Sequence, residues 1–305
     1  MHQAEGRAGL PVAAAGRARQ HRAAHCRRRF KGKPMESTLK CRNLGETFQQ
    51  MFELVPALGD AAREQVYRIR HDVYCRDLGW EPVREDGLES DEFDRHSLHC
   101  LLRRRATGEP VGCTRLILAR PEAPEHPLPF EQSCGEVLDR SIADPAKLPR
   151  HTIGEVSRLA VLNSFRQRRG EEAAAVPMSD DDFGGPGPQA RFPFVPVSLY
   201  LGAAAIARRF DIEHVFVLTE PRLASHFSRI GFDIRTVGGA IEHRGVRVPS
   251  LLSSSKVVSG LRPMIRPMYD VIDEAVGRAF KAHAAYGSRE AAGHCEAAPA
   301  FATQP

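Results

Sequence analysis

Long apolar runs are missing from this chain of 305 residues. None approaches the eighteen or so residues that a helix needs to cross a bilayer, so a membrane-spanning reading fails. No C-x-x-C pair occurs, and the seven cysteines are odd in number and scattered. That pattern suits free thiols in a reducing cytoplasm rather than a disulfide framework or a zinc ribbon. His96, His99 and Cys100 sit close together, but no second ligand cluster exists, and a strand edge explains them better than a metal site. No G-x-S-x-G elbow is present, which argues against a serine nucleophile. No internal repeat points to a solenoid. Tryptophan occurs once, as Trp80.

What is present is an ordinary soluble composition, 42% hydrophobic and 27% charged, with ample length for one large core. The formal charge of +5 is unevenly placed. Residues 1–34 hold nine Lys/Arg against Glu5 alone, and the rest is net −3. The mildly acidic body excludes a nucleic-acid-binding surface as the chain's main business. The basic leader fits an arm for nucleic acid or anionic lipid, a targeting peptide, or an upstream mis-assignment with Met35 as the true start; the last reading is favoured. Residues 1–40 are therefore set apart as a disordered leader, 41–285 as one domain and 286–305 as a disordered tail.

Within the domain, Val66, Ile69 and Val73 recur at helical spacing over 61–78, and Gly79 ends the run. Ser97–Arg103 and Val111–Leu118 read as a hairpin about "RATGEP". A proline-rich loop leads to Phe130. His151–Val161 is a strand, and "AAAVPMSDDDFGGPGPQARF" lies in a flexible insertion, 171–192. Pro196–Phe210 is a helix, His214–Leu218 a strand, and 219–232 a helix with Pro221 in its first turn and Gly231 at its C-cap. Strands about Arg244–Gly245 and a helix over Met264–Ala285 complete a mixed α/β domain on one sheet, its parallel crossover running from 151–161 to 214–218.

Several polar residues fall where a core belongs. Glu155 and Arg158 interrupt "HTIGEVSRLAV", and Arg115 interrupts the neighbouring strand. An unpaired buried charge costs several kcal/mol, about 3–5 when a partner is lost. These groups must therefore neutralise one another, with Asp91 and Asp94, or face a cleft. Plain alternation sets Glu155 and Arg158 on opposite faces, so a shared site requires a bulge. Cys113 beside Arg115 is the only nucleophile of interest.

Taken in order, Arg70, Tyr74, Trp80, Asp91-x-x-Asp94, Gly112-Cys113-x-Arg115, Phe130 and Glu155-x-x-Arg158 resemble the signature of the acyl-homoserine-lactone (autoinducer) synthases. They are more similar still to the N-acyl amino acid synthases. The chain as a whole resembles acyltransferases that accompany PEP-CTERM/exosortase systems in bacteria, over about 41–285. The resemblance implies a GNAT-like fold, a single mixed sheet with splayed strands flanked by helices. The implied reaction moves a fatty acyl group from an acyl-carrier-protein or acyl-CoA thioester to an amine, with no permanently bound cofactor. Gln167 and Gly170 match the start of the CoA pyrophosphate loop, but Glu172 replaces its last small residue. That favours an acyl carrier protein as partner and donor.

Acyl transfer to an amine needs a neutral nucleophile and a held oxyanion. An α-amine of pKa about 8 loses only about 1.4 kcal/mol at pH 7, whereas oxyanion donors contribute roughly 3–4 kcal/mol. Glu155 is the expected proton acceptor, with Arg158 beside it and backbone N–H groups after Arg158 holding the carbonyl. Arg70 is expected to clamp an acceptor carboxylate. Tyr74, Trp80, Arg115 and Phe130 are expected to line the substrate site, under a mobile lid made by 61–78 and anchored through Asp91 and Asp94. A small amine acceptor, a cytoplasmic location and no more than peripheral membrane contact complete the reading. A short-chain acetyl-CoA enzyme, an acyl-homoserine-lactone synthase and a non-catalytic acyl-ligand sensor stand as alternatives.

Overall fold

The computed structural model describes residues 43–120, 122–166 and 192–295. The basic leader, residues 171–191 of the expected insertion, Gln167 and Gly170 lie outside them. Helix α1 (Leu44–Met51) starts at Asn43, whose side chain accepts the Glu46 N–H at 2.9 Å. It leads into β1 (Phe52–Pro56). Neither was expected: "FELVP" is short and ends in proline, which only a sheet edge tolerates, and β1 is that edge.

Helix α2 (Asp60–Arg70) continues as a π-helical turn over His71–Asp77. Hairpin β2 (Ser97–Arg104) and β3 (Pro110–Leu118) follows, then α3 (Pro129–Cys134) and β4 (Ile153–Val161). Next come α4 (Phe194–Arg209), β5 (His214–Thr219) and α5 (Pro221–Ile230). Strands β6 (Ile234–Thr236), β7 (Ile241–Glu242) and β8 (Val246–Ser253) lead to α6 (Ser254–Gly260) and α7 (Arg266–Cys295). The last helix thus runs ten residues beyond 285, where the sequence reading ended order.

The sheet order is β1-β2-β3-β4-β5-β8-β6, with β7 paired to β8. All neighbours are antiparallel except β4 and β5, whose parallel pairing requires the α4 crossover. One face, with Leu54, Cys100, Leu102 and Leu116, packs under α4 and α7. The other carries Leu101 and Cys113 beneath α2, and Ile117, Ile153 and Phe216 beneath Phe130 of α3. Val66, Ile69 and Val73 are fully buried there. The 61–78 stripe is therefore core and not the mobile lid expected of it.

Two departures from regularity shape the site. Strands β4 and β5 pair only from Ile153–His214 to Val156–Val217, although they run on to Val161 and Thr219. Beyond Val156 they splay. In addition, Cys113 pairs with Ala160 while Arg115 pairs with Ser157, so β4 holds one residue more than β3 across this step. Arg158 takes the strain, with φ of 53°, which costs an L-residue roughly 1–2 kcal/mol. Side-chain parity changes across it: Ile153 and Ala160, seven positions apart, lie on the same face of the sheet.

Close strand packing leaves no room at Gly112, where a Cβ would stand 2.7 Å from the Ala160 carbonyl oxygen and 3.2 Å from Leu199 Cδ1. Gly112→Ala is expected to lose about 1–3 kcal/mol by overpacking, read as a lower urea midpoint at unchanged m-value.

Candidate active site

The bulge at Arg158 supplies what alternation alone denied: Glu155 and Arg158 line one cavity of about 370 Å³. It fills the wedge between the splayed ends of β4 and β5 on the α2–α3 face. Tyr74, Trp80, Asp91, Arg115 and Phe130 also line it. Six of the expected contact residues and one of the two expected loop anchors therefore meet there.

Arg70 does not. It is fully buried, donating Nε to Glu89 and Nη1 to Asp94 at 2.7 Å. A guanidinium so placed cannot receive an acceptor carboxylate, and the expected clamp is corrected to a structural role. Asp91 and Asp94 lie in the loop between α2 and β2 and tie it to the sheet. They form a capping box on the 3-10 turn Glu92–His96, with Asp94 accepting the Asp91 N–H at 2.7 Å. Arg115 Nη1 donates to Asp91 at 2.6 Å and to Asp94 at 2.8 Å.

Arg158 closes the network through Asp91 at 3.0 Å and Glu89 at 3.2 Å. Three arginines thus face these three acids, and Arg158 Nη2 also meets Glu81 at 3.4 Å, which pairs in turn with Arg244, so the group is neutral as a unit. The guanidinium groups outweigh burial and hold the carboxyls of Glu89, Asp91 and Asp94 below the usual carboxylate range.

Glu155 differs. Only 4% exposed, it stands outside that network and accepts one hydrogen bond, from the Phe130 N–H at 2.9 Å. Burial pushes its carboxyl up to about 7; the Phe130 N–H and the two arginines offset only part of that. Helix α3 is fixed for this contact by Arg150, whose Nη1 and Nη2 grip Glu131 at 2.8 and 2.7 Å. Phe130 itself stacks on Phe216 with ring centres 4.2 Å apart.

The opposite wall is aromatic. The Tyr74 carbonyl accepts the N–H groups of Trp80 and Glu81 at 2.7 and 3.1 Å, a turn that Gly79 permits with φ of 61°. Tyr74 and Trp80 stack at 5.8 Å, and the Tyr74 hydroxyl donates to the Leu159 carbonyl at 2.8 Å. The Arg158 guanidinium lies over Tyr74, and those of Arg244 and Arg247 lie over Trp80.

Sequence reasoning missed Glu89, Glu81, Arg244, Arg247 and Tyr200. Glu81 and Glu89 sit in an acidic loop that reads as solvated surface, and Arg244 in what reads as a plain hairpin turn. Tyr200, on α4, presents a buried hydroxyl without a hydrogen-bond partner among the described residues. It lines both the main cavity and an apolar cavity of about 40 Å³ on the α4 face, as do Val156, Val217 and Phe227. The wedge thus gives onto charged groups on one face and an apolar recess on the other.

Cys113 is excluded as a nucleophile. It is fully buried, lies outside the cavity, and burial pushes its thiol up to about 12. His99 is held down to about 3 by burial. Among the described residues no group of three His, Cys, Asp or Glu could hold a metal ion, and no helix is long and apolar enough to cross a membrane.

Residues 69–175, roughly a third of the chain, match the family described as Acetyltransferase (GNAT) domain. The fold is GNAT-like. On this sheet, the match indicates an N-acyltransferase enzyme. No curated protein matches the chain. Among solved structures, TofI in a ternary complex with an inhibitor and MTA is 19% identical over 70% of this chain and 98% of its own, with a TM-score of 0.48. MesI, a CoA-dependent acyl-homoserine lactone synthase, is 21% identical over 71% and 95%, at 0.47. FeeM, an N-acyl amino acid synthase from uncultured soil microbes, is 14% identical over 69% and 94%, at 0.44. Likenesses of this strength carry no activity over to the chain.

Asp94 is the keystone of the ion network. Asp94→Asn leaves Arg70 and Arg115 short of a counter-charge and is expected to cost about 3–5 kcal/mol, measured by urea unfolding at pH 7. The sign with pH follows from the depressed carboxyls. Their contribution is full above the ordinary carboxylate range and is lost as pH falls through their folded-state values. The stability gap between wild type and Asp94→Asn should therefore narrow in acid, and a gap independent of pH would contradict the network.

Proposed function

We propose that the chain transfers a fatty acyl group from a carrier-protein or CoA thioester to the amine of an amino acid or similar acceptor. The observation that carries this reading is the wedge. A thioester entering between β4 and β5 meets Glu155 and Arg158 on one side, while the apolar recess stands ready for its tail on the other. In this reading the acceptor nitrogen attacks the thioester carbonyl, the C–N bond forms and the C–S bond breaks. Glu155, held near neutrality, takes the amine proton directly or through a water. Beyond Val156 the β5-facing edge of β4 has no strand partner, so N–H groups after Arg158 are available to the oxyanion. Tyr200 gives a proton to the departing sulfur, since burial raises its phenol well above the ordinary value and keeps it protonated.

An acyl carrier protein remains our preferred donor, on the Glu172 departure in the sequence. A cytoplasmic site, and service to an exosortase system, rest on the sequence resemblance. A second reading has a specific observation in its favour. The recess, at about 40 Å³, takes a short acyl group without rearrangement, whereas a long chain must displace Phe227 or its neighbours. Heterologous expression with mass spectrometry of lipid extracts for N-acylated amines tests the activity. Assays of the pure protein with acyl-carrier and acyl-CoA donors from two to sixteen carbons decide between the readings. Turnover with short CoA thioesters alone would replace the first reading by the second, and turnover with none would remove both.

Glu155→Gln should lower kcat/KM at pH 7 by about 10²–10⁴-fold with the fold retained. In the wild type the rate should rise through pH 7 as Glu155 loses its proton. A flat profile from pH 6 to 8 would take Glu155 out of the proton-transfer role. Stability has the opposite slope: a carboxyl raised in the folded state favours folding at lower pH, and this advantage fades between the unfolded value and about 7. Glu155→Gln should abolish that part of the slope.

A further inference from the structure

Helix α3 has only six residues, too few to be stable by itself. Yet it supplies the one N–H that Glu155 accepts, from Phe130 at 2.9 Å. The next residue along the chain holds it in place. Glu131 accepts the Leu128 N–H at 2.7 Å and so caps its own helix. Arg150 meets that carboxylate end-on: Nη1 donates to Oε1 at 2.8 Å and Nη2 to Oε2 at 2.7 Å. Nη2 also donates to the His126 carbonyl at 2.8 Å. The pair is largely shielded from water, with side chains 14% and 18% exposed. Arg150 opens the 3-10 turn that leads into β4, so one ion pair ties the helix that donates to Glu155 to the strand that carries it.

The clamp also carries charge. Arg115 of β3, Arg158 of β4, and Glu131 and Cys134 of α3 bear on the Glu155 carboxyl, while β5 sets Phe216 opposite it. Burial pushes the Cys134 thiol up to about 11, so it is neutral at pH 7. Glu131 is then the one anion in this set, and Arg150 is its ion-pair partner. Like charge disfavours a second ionised carboxyl nearby, and a cation favours it.

We infer that Glu131 and Arg150 are positioning residues for the base: together they hold the Phe130 N–H on Glu155 and set the charge beside it. This deepens the acyl-transfer reading and takes the base role of Glu155 from it. The two partners act in opposite directions. Removing Arg150 leaves the Glu131 charge unopposed and loosens the Phe130 N–H, and both changes disfavour the ionised base. Glu131→Gln removes the like charge, leaves the Arg150 cation and keeps an oxygen for the Leu128 N–H, which favours the ionised base. A clamp that only held shape would move both variants the same way.

The test reads Glu155 directly. The whole chain is labelled with glutamate carrying carbon-13 in its side-chain carboxyl, and the Glu155 signal is assigned by its loss in Glu155→Gln. Its titration is followed in wild type, Arg150→Gln, Arg150→Lys and Glu131→Gln, with a melting curve for each. Arg150→Gln should raise the midpoint by about half a unit to one unit, and Glu131→Gln should lower it by a similar amount. Arg150→Lys should restore most of the wild-type value. The rise of kcat/KM with pH should move with each midpoint. Midpoints that stay fixed in folded variants, or that move in the same direction, overturn the inference. Should Arg150→Gln fail to fold, Glu131→Gln decides alone, and any result other than a downward shift overturns the inference. The titrations contain neither donor nor acceptor. Opposite shifts in a protein that turns over no thioester therefore refute acyl transfer and leave the positioning pair standing. Turnover with an unmoved Glu155 does the reverse.

Discussion

Three guanidinium groups, two of them fully buried and the third bordering the cavity, balanced by three carboxylates hold this site together. Arg70, Arg115 and Arg158 come from α2, β3 and β4, and Glu89, Asp91 and Asp94 come from a single loop. Any one of these charges alone would be too costly to bury, and together they can be buried only in one arrangement. The network therefore acts as a register device: it fixes the loop against the sheet and holds Arg158 in its strained conformation at the bulge.

The bulge in turn decides the chemistry available. A regular strand would have carried β4 along β5 to its end, with Arg158 on the far face and no wedge. The extra residue ends pairing at Val156, turns Arg158 to the side of Glu155, and leaves an unpaired strand edge facing the cavity. Glu155 stays out of the ion network, and its isolation is what raises its carboxyl toward neutrality. Two carboxylate environments thus coexist on one face of the sheet: acids saturated with arginine, and one acid with a single N–H donor.

Much of the frame was legible in the sequence because it depends on local pattern. The apolar stripe Val66–Ile69–Val73, the turn residues of the β2–β3 hairpin, and Pro221 and Gly231 about α5 each report their element directly. The short β1 strand was not legible, since five residues ending in proline carry little periodic signal. The site was legible in part. Charged residues inside apolar strands marked Glu155, Arg158 and Arg115. Glu81, Glu89 and Arg244 gave no such mark, because acids in a loop and an arginine in a turn look solvated until the fold buries them.

What the sequence by itself determined is the mixed α/β order of elements and the presence of charges that a core cannot accept unpaired. Both follow from spacing and from the cost of desolvation. Only the tertiary structure decided which charges pair in the interior and which border the cavity. Arg70 and Arg244 have the same side chain, but one is enclosed by two carboxylates and the other opens onto the cavity. That difference arises from contacts between residues as far apart in the chain as Glu81 and Arg244, and no local pattern encodes it.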